Sequence, residues 1–247
     1  MRIPLSNRLR RREHAEIAAL QDEVVEALYS RFPECNLVLH GGTAIWRCYD
    51  GNRFSEDLDF YGARGALASG FKEKFLAVMA SLGFTVSKFK QTENTVFAKV
   101  SSGGAEIRVE ISFGGEARGP RGVHSEKSSA SVVAGEFEKT DGGALTVLVL
   151  SPAALLKEKM AAYSSRFFVR DFYDVYFLSR LVDDAEALRS LKSFLAGAKK
   201  PVDERNLETL VYSGVAPSFK QMTETLSSRA GTAKTSGKER KNAGEVK

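Results

Sequence analysis

Residues 37–62 read LVLHGGTAIWRCYDGNRFSEDLDFYG. A short apolar run, Leu37 to His40, meets two glycines, and Thr43 opens a segment, TAIWRCY, with the character of a first helical turn. Fifteen or so residues on, DLDFY alternates two carboxylates with two large apolar side chains. In a strand, side chains at i and i+2 share a face, so Leu58 and Phe60 point one way and Asp57 and Asp59 the other. Two like charges this close raise each other's pKa unless a cation lies between them. A hard divalent cation such as Mg²⁺ takes oxygen ligands of this kind together with substrate phosphates. Alone, so short a pattern most often marks a solvated strand end. Its setting changes that reading. Glycines between a strand and a helix let the backbone come close to a phosphate, and the helix N-terminus offers N–H groups to it. Arg53 and Ser55, just ahead of the carboxylates, are positioned to touch the same phosphates.

The rest of the chain builds an α+β protein around this core. A helical stripe of Ile17, Leu20, Val24 and Leu28 precedes it and ends at Pro33. Phe71, Phe75, Val78 and Leu82 predict another helix, stopped by Gly83. Strands follow at FTVSKFK and TVFAKV, joined by the turn QTEN, and at AEIRVEISF, where Ile107, Val109, Ile111 and Phe113 alternate with Glu106, Arg108, Glu110 and Ser112. Residues 114–143, rich in Gly, Ser and charge, read as loops, and LTVLVL as a last strand. From Ser151-Pro152, an N-cap followed by proline at the first helical position, the pattern turns helical. The expected organisation is an α/β domain over residues 1–150, a helical domain over 151–226 and a disordered basic tail over 227–247.

The 247 residues carry a net charge of +5 and are 43% hydrophobic, an ordinary globular composition. From Ser228 to Lys247 there are six Lys or Arg against two Glu, a net +4, so most of the excess charge lies in the tail. Two cysteines without metal-ligand spacing and three scattered histidines argue against a Cys/His metal site. No apolar run is long enough to span a bilayer, and no hydrophobic segment follows the basic N-terminus, so a cytoplasmic protein is expected.

The stretch HGGTAIWRCYDGNRFSEDLDF resembles the signature of the DNA polymerase β-type nucleotidyltransferases, and more closely that of the AbiEii/AbiGii toxin family, with its G-G-T and R-x-S-x-D-x-D. LLKEKMAAYSSRFFVRDFYDVYFL is similar to the same family's helical motif of a lysine, an arginine and R-D-x-x-D. The resemblance implies a nucleotidyltransferase-type mixed sheet followed by helices. It implies that Gly41, Gly42 and Thr43, supported by Arg53 and Ser55, bind the nucleotide, and that Asp57 and Asp59 hold metal. The family's K-x-D strand corresponds here to Arg108 and Glu110, a departure at both positions, with Glu106 on the same face as a competing third carboxylate. Lys159 matches the lysine that reaches the triphosphate, with a surface lysine as the plain alternative, and Asp174 the last acidic position. Arg170 and Asp174, four apart, also fit a local helical ion pair, and Asp171 a structural role. Two Mg²⁺ ions are expected, with Mn²⁺ as an alternative. The implied activity is transfer of a nucleoside monophosphate from an NTP to an acceptor hydroxyl, RNA and notably tRNA 3′ ends, by a toxin with a cognate antitoxin partner. A transferase acting on protein side chains, or a non-catalytic nucleotide-binding module, would leave similar motifs.

Overall fold

The computed structural model describes residues 4–63, 65–67, 70–114 and 131–232. Their strands form one mixed seven-stranded sheet: β1 Val38–His40, β2 Leu58–Tyr61, β3 Thr85–Gln91, β4 Thr95–Ser102, β5 Ala105–Ser112, β6 Val132–Glu138 and β7 Ala144–Leu150. The strand order is β3-β4-β5-β2-β1-β7-β6. β1 runs antiparallel to β2 and parallel to β7, while β2 and β5 are parallel. The helices of this part are α1 Leu5–Arg8, α2 Arg12–Arg31, α3 Gly41–Cys48 and α4 Phe71–Ser81. Four more helices follow: α5 Pro152–Arg166, α6 Val169–Ser179, α7 Ala185–Gly197 and α8 Leu207–Leu210. The last described helix is α9 Phe219–Thr232.

Period-2 alternation decides which face of the sheet is covered. Leu58, Phe60, Val96, Ala98, Val100, Ile107, Val109 and Ile111 are all buried. They share the side on which α2 and α4 contribute Ile17, Leu20, Val24, Leu28, Phe71 and Phe75, with Phe75 meeting Phe89 and Phe71 meeting Phe113. The α4 stripe passes through Met79, which is fully buried, and not through Leu82, which is 40% exposed and lies beyond the helix end. A fully buried arginine ties α3 into this core. Arg47 pairs with Asp22 of α2 and donates through Nε to the Glu138 carbonyl at 2.7 Å, while Asp22 also accepts from Thr140.

Further sequence expectations change. Within residues 114–143, Val132–Glu138 is not loop but the edge strand β6, paired along its whole length with β7; residues 115–130 lie outside the described residues. The disordered tail does not begin at 227, because α9 continues to Thr232 with Leu226 and Ala230 buried and Arg229 bonded to Asp183 and the Val182 carbonyl. The remaining tail, residues 233–247, lies outside the described residues.

The chain divides into two compact units: one of Met1–Ser151 with Val211–Gly214, the other of Pro152–Leu210 with residues from Val215 on. In the first, Val211 bridges to Arg53, the Tyr212 hydroxyl donates to the Gly51 carbonyl at 2.9 Å, and Asn52 donates to the Ser213 carbonyl at 2.6 Å. In the second, α5, α6, α7 and α9 pack around Leu156, Tyr163, Phe172, Leu178, Leu191, Met222 and Leu226. Among the described residues no helix is long and apolar enough to cross a membrane.

Candidate active site

The glycine turn is built against the second aspartate. Gly41 has φ +73°, and a Cβ on it would stand 2.4 Å from Asp59 Oδ2, so the position requires a residue without a side chain on both counts. A Cβ on Gly42 would stand 2.5 Å from Ser55 Oγ and 2.6 Å from the Arg53 guanidinium. The two residues proposed from sequence to assist the turn therefore line the second glycine. Arg53 is buried and donates to the Phe54 carbonyl at 2.9 Å, and Gln21 of α2 holds the carbonyls of Ser55 and Glu56 at 2.9 and 3.0 Å. Thr43, fully buried in the first turn of α3, donates its hydroxyl to the Asp57 carbonyl. The N-terminus of α3 thus lies directly against the carboxylate segment. His40 caps it in extended conformation with no side-chain cap bond, so the first N–H groups of α3 are not capped by that side chain.

Register sets the carboxylates side by side. Asp59 on β2 pairs with Glu110 on β5 and with His40 on β1, so His40, Asp59 and Glu110 form a row across three strands on the polar face. His40 stacks on Tyr61, ring centroids 3.9 Å apart and 7° from parallel. Glu106 stands four residues from Glu110, about 13 Å along the strand. It accepts from Lys99 and from Ser87, the lysine holding it below the usual carboxylate range. Of the two glutamates, Glu110 is the neighbour of Asp59.

Asp57 has a partner that sequence reasoning missed. Arg108 donates to both of its carboxylate oxygens, Nε to Oδ1 at 2.7 Å and a terminal nitrogen to Oδ2, a bidentate pair that raises the guanidinium pKa. The signal was available, since Leu58 opposite Val109 brings Asp57 level with Arg108, but it requires the strand register. Among the described residues no three or more His, Cys, Asp and Glu side chains are gathered as a metal cluster. The donor set itself suits an oxygen-preferring divalent cation: three carboxylates on one face of two adjacent strands beside a helix N-terminus.

In the second unit Lys159 is buried, with only 6% exposure, so the surface-lysine alternative does not hold. Its ammonium lies 3.0 Å from Asp174 and 3.7 Å from Asp171, both buried on α6. Asp171 is also gripped by Arg166 through two bonds of 2.6 and 2.7 Å. Arg170 lies over the Phe168 ring, 5.7 Å from its centroid.

The model of the AbiEii nucleotidyl transferase toxin of type IV toxin–antitoxin systems matches residues 24–229. The chain belongs to this family. It is a nucleotidyltransferase of the toxin class. Solved structures that share its fold include two bacterial proteins. JHP933 from Helicobacter pylori superposes with a TM-score of 0.57 at 18% identity, covering 91% of this chain and 95% of that one. MenT4, the nucleotidyltransferase toxin Rv2826c from Mycobacterium tuberculosis H37Rv, does so with a TM-score of 0.56 at 19% identity, covering 90% and 84%. No curated protein matches the AbiEii chain significantly.

Proposed function

We propose that this AbiEii protein is a Mg²⁺-dependent transferase that moves a nucleoside monophosphate from an NTP to a hydroxyl of RNA, with the 3′ end of tRNA as the acceptor. The observation that carries the reading is the Asp59–Glu110 pair with the Gly41 backbone packed onto Asp59. A triphosphate lying on Gly41, Gly42 and the first N–H groups of α3 would have its α-phosphorus beside those carboxylates. Arg53 and Ser55, packed against Gly42, support the same phosphates.

Asp57, Asp59 and Glu110 would hold two Mg²⁺ ions, with Mn²⁺ able to substitute, Arg108 giving up Asp57 as they bind. When bound, the ions would supply charge neutralisation for the triphosphate and acidify the attacking hydroxyl. In the transfer, the acceptor hydroxyl gives up its proton to solvent, a bond forms between its oxygen and the α-phosphorus, the bond to the bridging oxygen of the β-phosphate breaks, and pyrophosphate leaves. The protein's contribution is placement of these groups. Lys159 and Asp174 enter this reading as a buried ion pair that braces α5 against α6. A cognate antitoxin is the partner that fits a type IV toxin.

The test is incubation of the protein and Mg²⁺ with each α-labelled NTP and total RNA, and in parallel with cell protein. Label in RNA from one NTP supports the reading. Label only in protein would redirect it to a side-chain acceptor, and NTP binding without label in either would mean a nucleotide-binding module without turnover.

A further inference from the structure

The polar face of the sheet does not end at the carboxylates. Following the register from Asp59 and Glu110, the next residue is Phe97 on β4, and then Lys90 on β3. The neighbouring row runs from Arg108 to Lys99 and Lys88. Residues directly opposite in antiparallel strands share a face, so these side chains all stand on the side of Asp59. Two contacts agree: the Lys88 ammonium lies 5.5 Å from the Phe97 ring centroid, and Phe89, of opposite parity, turns to Phe75 and α4. Lys88 and Lys90 are exposed and Phe97 is half-buried with its ring on the surface row. Lys99 is paired with Glu106 and Arg108 with Asp57, so Lys88 and Lys90 make the β3 end of these rows positive, opposite the carboxylate end at Asp59 and Glu110.

We infer that the β3–β4 face is the docking platform for the acceptor, a single-stranded segment of nucleic acid, one base stacking on Phe97 and adjacent phosphates contacting Lys88 and Lys90. This rests on the nucleic-acid acceptor proposed above. Charge complementarity selects the occupant, because a lysine pair flanking an aromatic ring matches the alternation of phosphate and base in a single strand. Continuity with the carboxylate row gives the direction. From β2 to β3 is three strand spacings, about 14 Å, over which a stacked strand presents roughly four phosphates. A strand lying along the rows brings its terminal hydroxyl to Asp59 and Glu110.

The experiment measures binding of a fluorescein-labelled single-stranded RNA of mixed sequence to the full chain, titrated at several salt concentrations. The wild type is compared with Lys88→Gln/Lys90→Gln and with Phe97→Leu, thermal melting confirming that each is folded. Loss of two phosphate contacts should lower the slope of log K against log salt by about 1.4 and weaken binding about tenfold near 0.15 M salt. Phe97→Leu should weaken binding about five- to a hundredfold with the salt slope unchanged. If Phe97→Leu is destabilised, the exposed lysine pair still decides the matter. Equal affinities and slopes in wild type and the lysine variant would overturn the platform, even if the protein transfers nucleotide to RNA. So would binding of poly-glutamate in preference to RNA, which would mark the strip as a protein-docking surface. Lysine-dependent RNA binding in a protein that transfers no nucleotide would leave the platform standing and remove the proposed activity instead.

Discussion

Arg108 of β5 closes on both carboxylate oxygens of Asp57, the first aspartate of the D-x-D pair. The contact uses a residue that departs from the family's lysine to occupy a side chain expected to bind metal. The pair is half exposed on the arginine side, so its worth to folding is small, on the order of 1 kcal/mol or less. Its effect on ligands is larger in consequence, because any cation reaching Asp57 competes with a guanidinium.

Arg108→Met should therefore leave the melting temperature nearly unchanged while tightening Mn²⁺ binding in the absence of nucleotide by about fivefold. Titration calorimetry of both proteins checks this, and an unchanged or weaker Mn²⁺ affinity would mean that Asp57 is not a ligand.

Asp59→Asn and Glu110→Gln should each abolish nucleotide transfer with the fold retained, whereas Glu106→Gln, bonded to Lys99 and Ser87 well along the strand, should cost little. Initial rates with labelled NTP rank the three. A larger loss at Glu106 than at Glu110 would shift the site to the other end of β5.

Gly41→Ala combines a left-handed backbone with an overlap on Asp59 Oδ2. The strain should lower stability by roughly 1–3 kcal/mol, and the displaced carboxylate should remove most activity. Denaturant unfolding and rate measurements on one preparation separate the two effects, and full activity would show that Asp59 need not sit on the turn.

Lys159→Met leaves Asp174 buried without its ammonium partner. Breaking a buried pair in this way should cost about 3–5 kcal/mol. Lys159→Met/Asp174→Asn, which also removes the buried carboxylate's charge, should recover much of it. If the double variant melts no higher than the single one, bracing is not the role of this pair.

His14 stacks on Phe54, ring centroids 3.8 Å apart, next to the Arg53–Ser55 segment, and burial, aided by Arg11, lowers its pKa from 6.5. A histidine depressed on folding binds its proton more readily in the unfolded chain. Stability is thus full above about pH 6.5 and falls as pH drops through that value toward the folded pKa. His14→Phe keeps a ring on Phe54 and should flatten the melting temperature against pH between about 7 and 5. An equal slope in both proteins would assign the pH dependence elsewhere.

Much of the site could be read before any coordinates because it is local in sequence. Gly41, Gly42, Asp57 and Asp59 lie within nineteen residues, and alternation alone assigned both aspartates to the polar face. The family motif pointed to Glu110 with Glu106 as the competitor, but which of the two stands beside Asp59 was not legible from parity, which both share, and needs the β2–β5 register. The Arg108–Asp57 pair was hidden for the same reason. β6 escaped because an edge strand containing Ala134 and Gly135 has little apolar alternation, and its order comes from pairing with β7. Lys159 was expected to reach the triphosphate, with a surface lysine as the alternative; its burial against Asp174 was not legible, because a sequence pattern does not show which lysine of LLKEKM turns inward toward carboxylates on the next helix.

Val211–Gly214 pack with residues that precede them by about 160 positions, with Tyr212 and Ser213 each bonded 161 residues away, to Gly51 and Asn52. On a ribosome, everything needed for the carboxylate strand is synthesised long before this short stretch. The segment leading to Arg53 and Ser55 keeps open ends until the chain has passed through four further helices. A toxin wired in this order finishes the segment beside its glycine turn late in its own translation, and incomplete chains released before residue 211 lack the contacts to Gly51, Asn52 and Arg53.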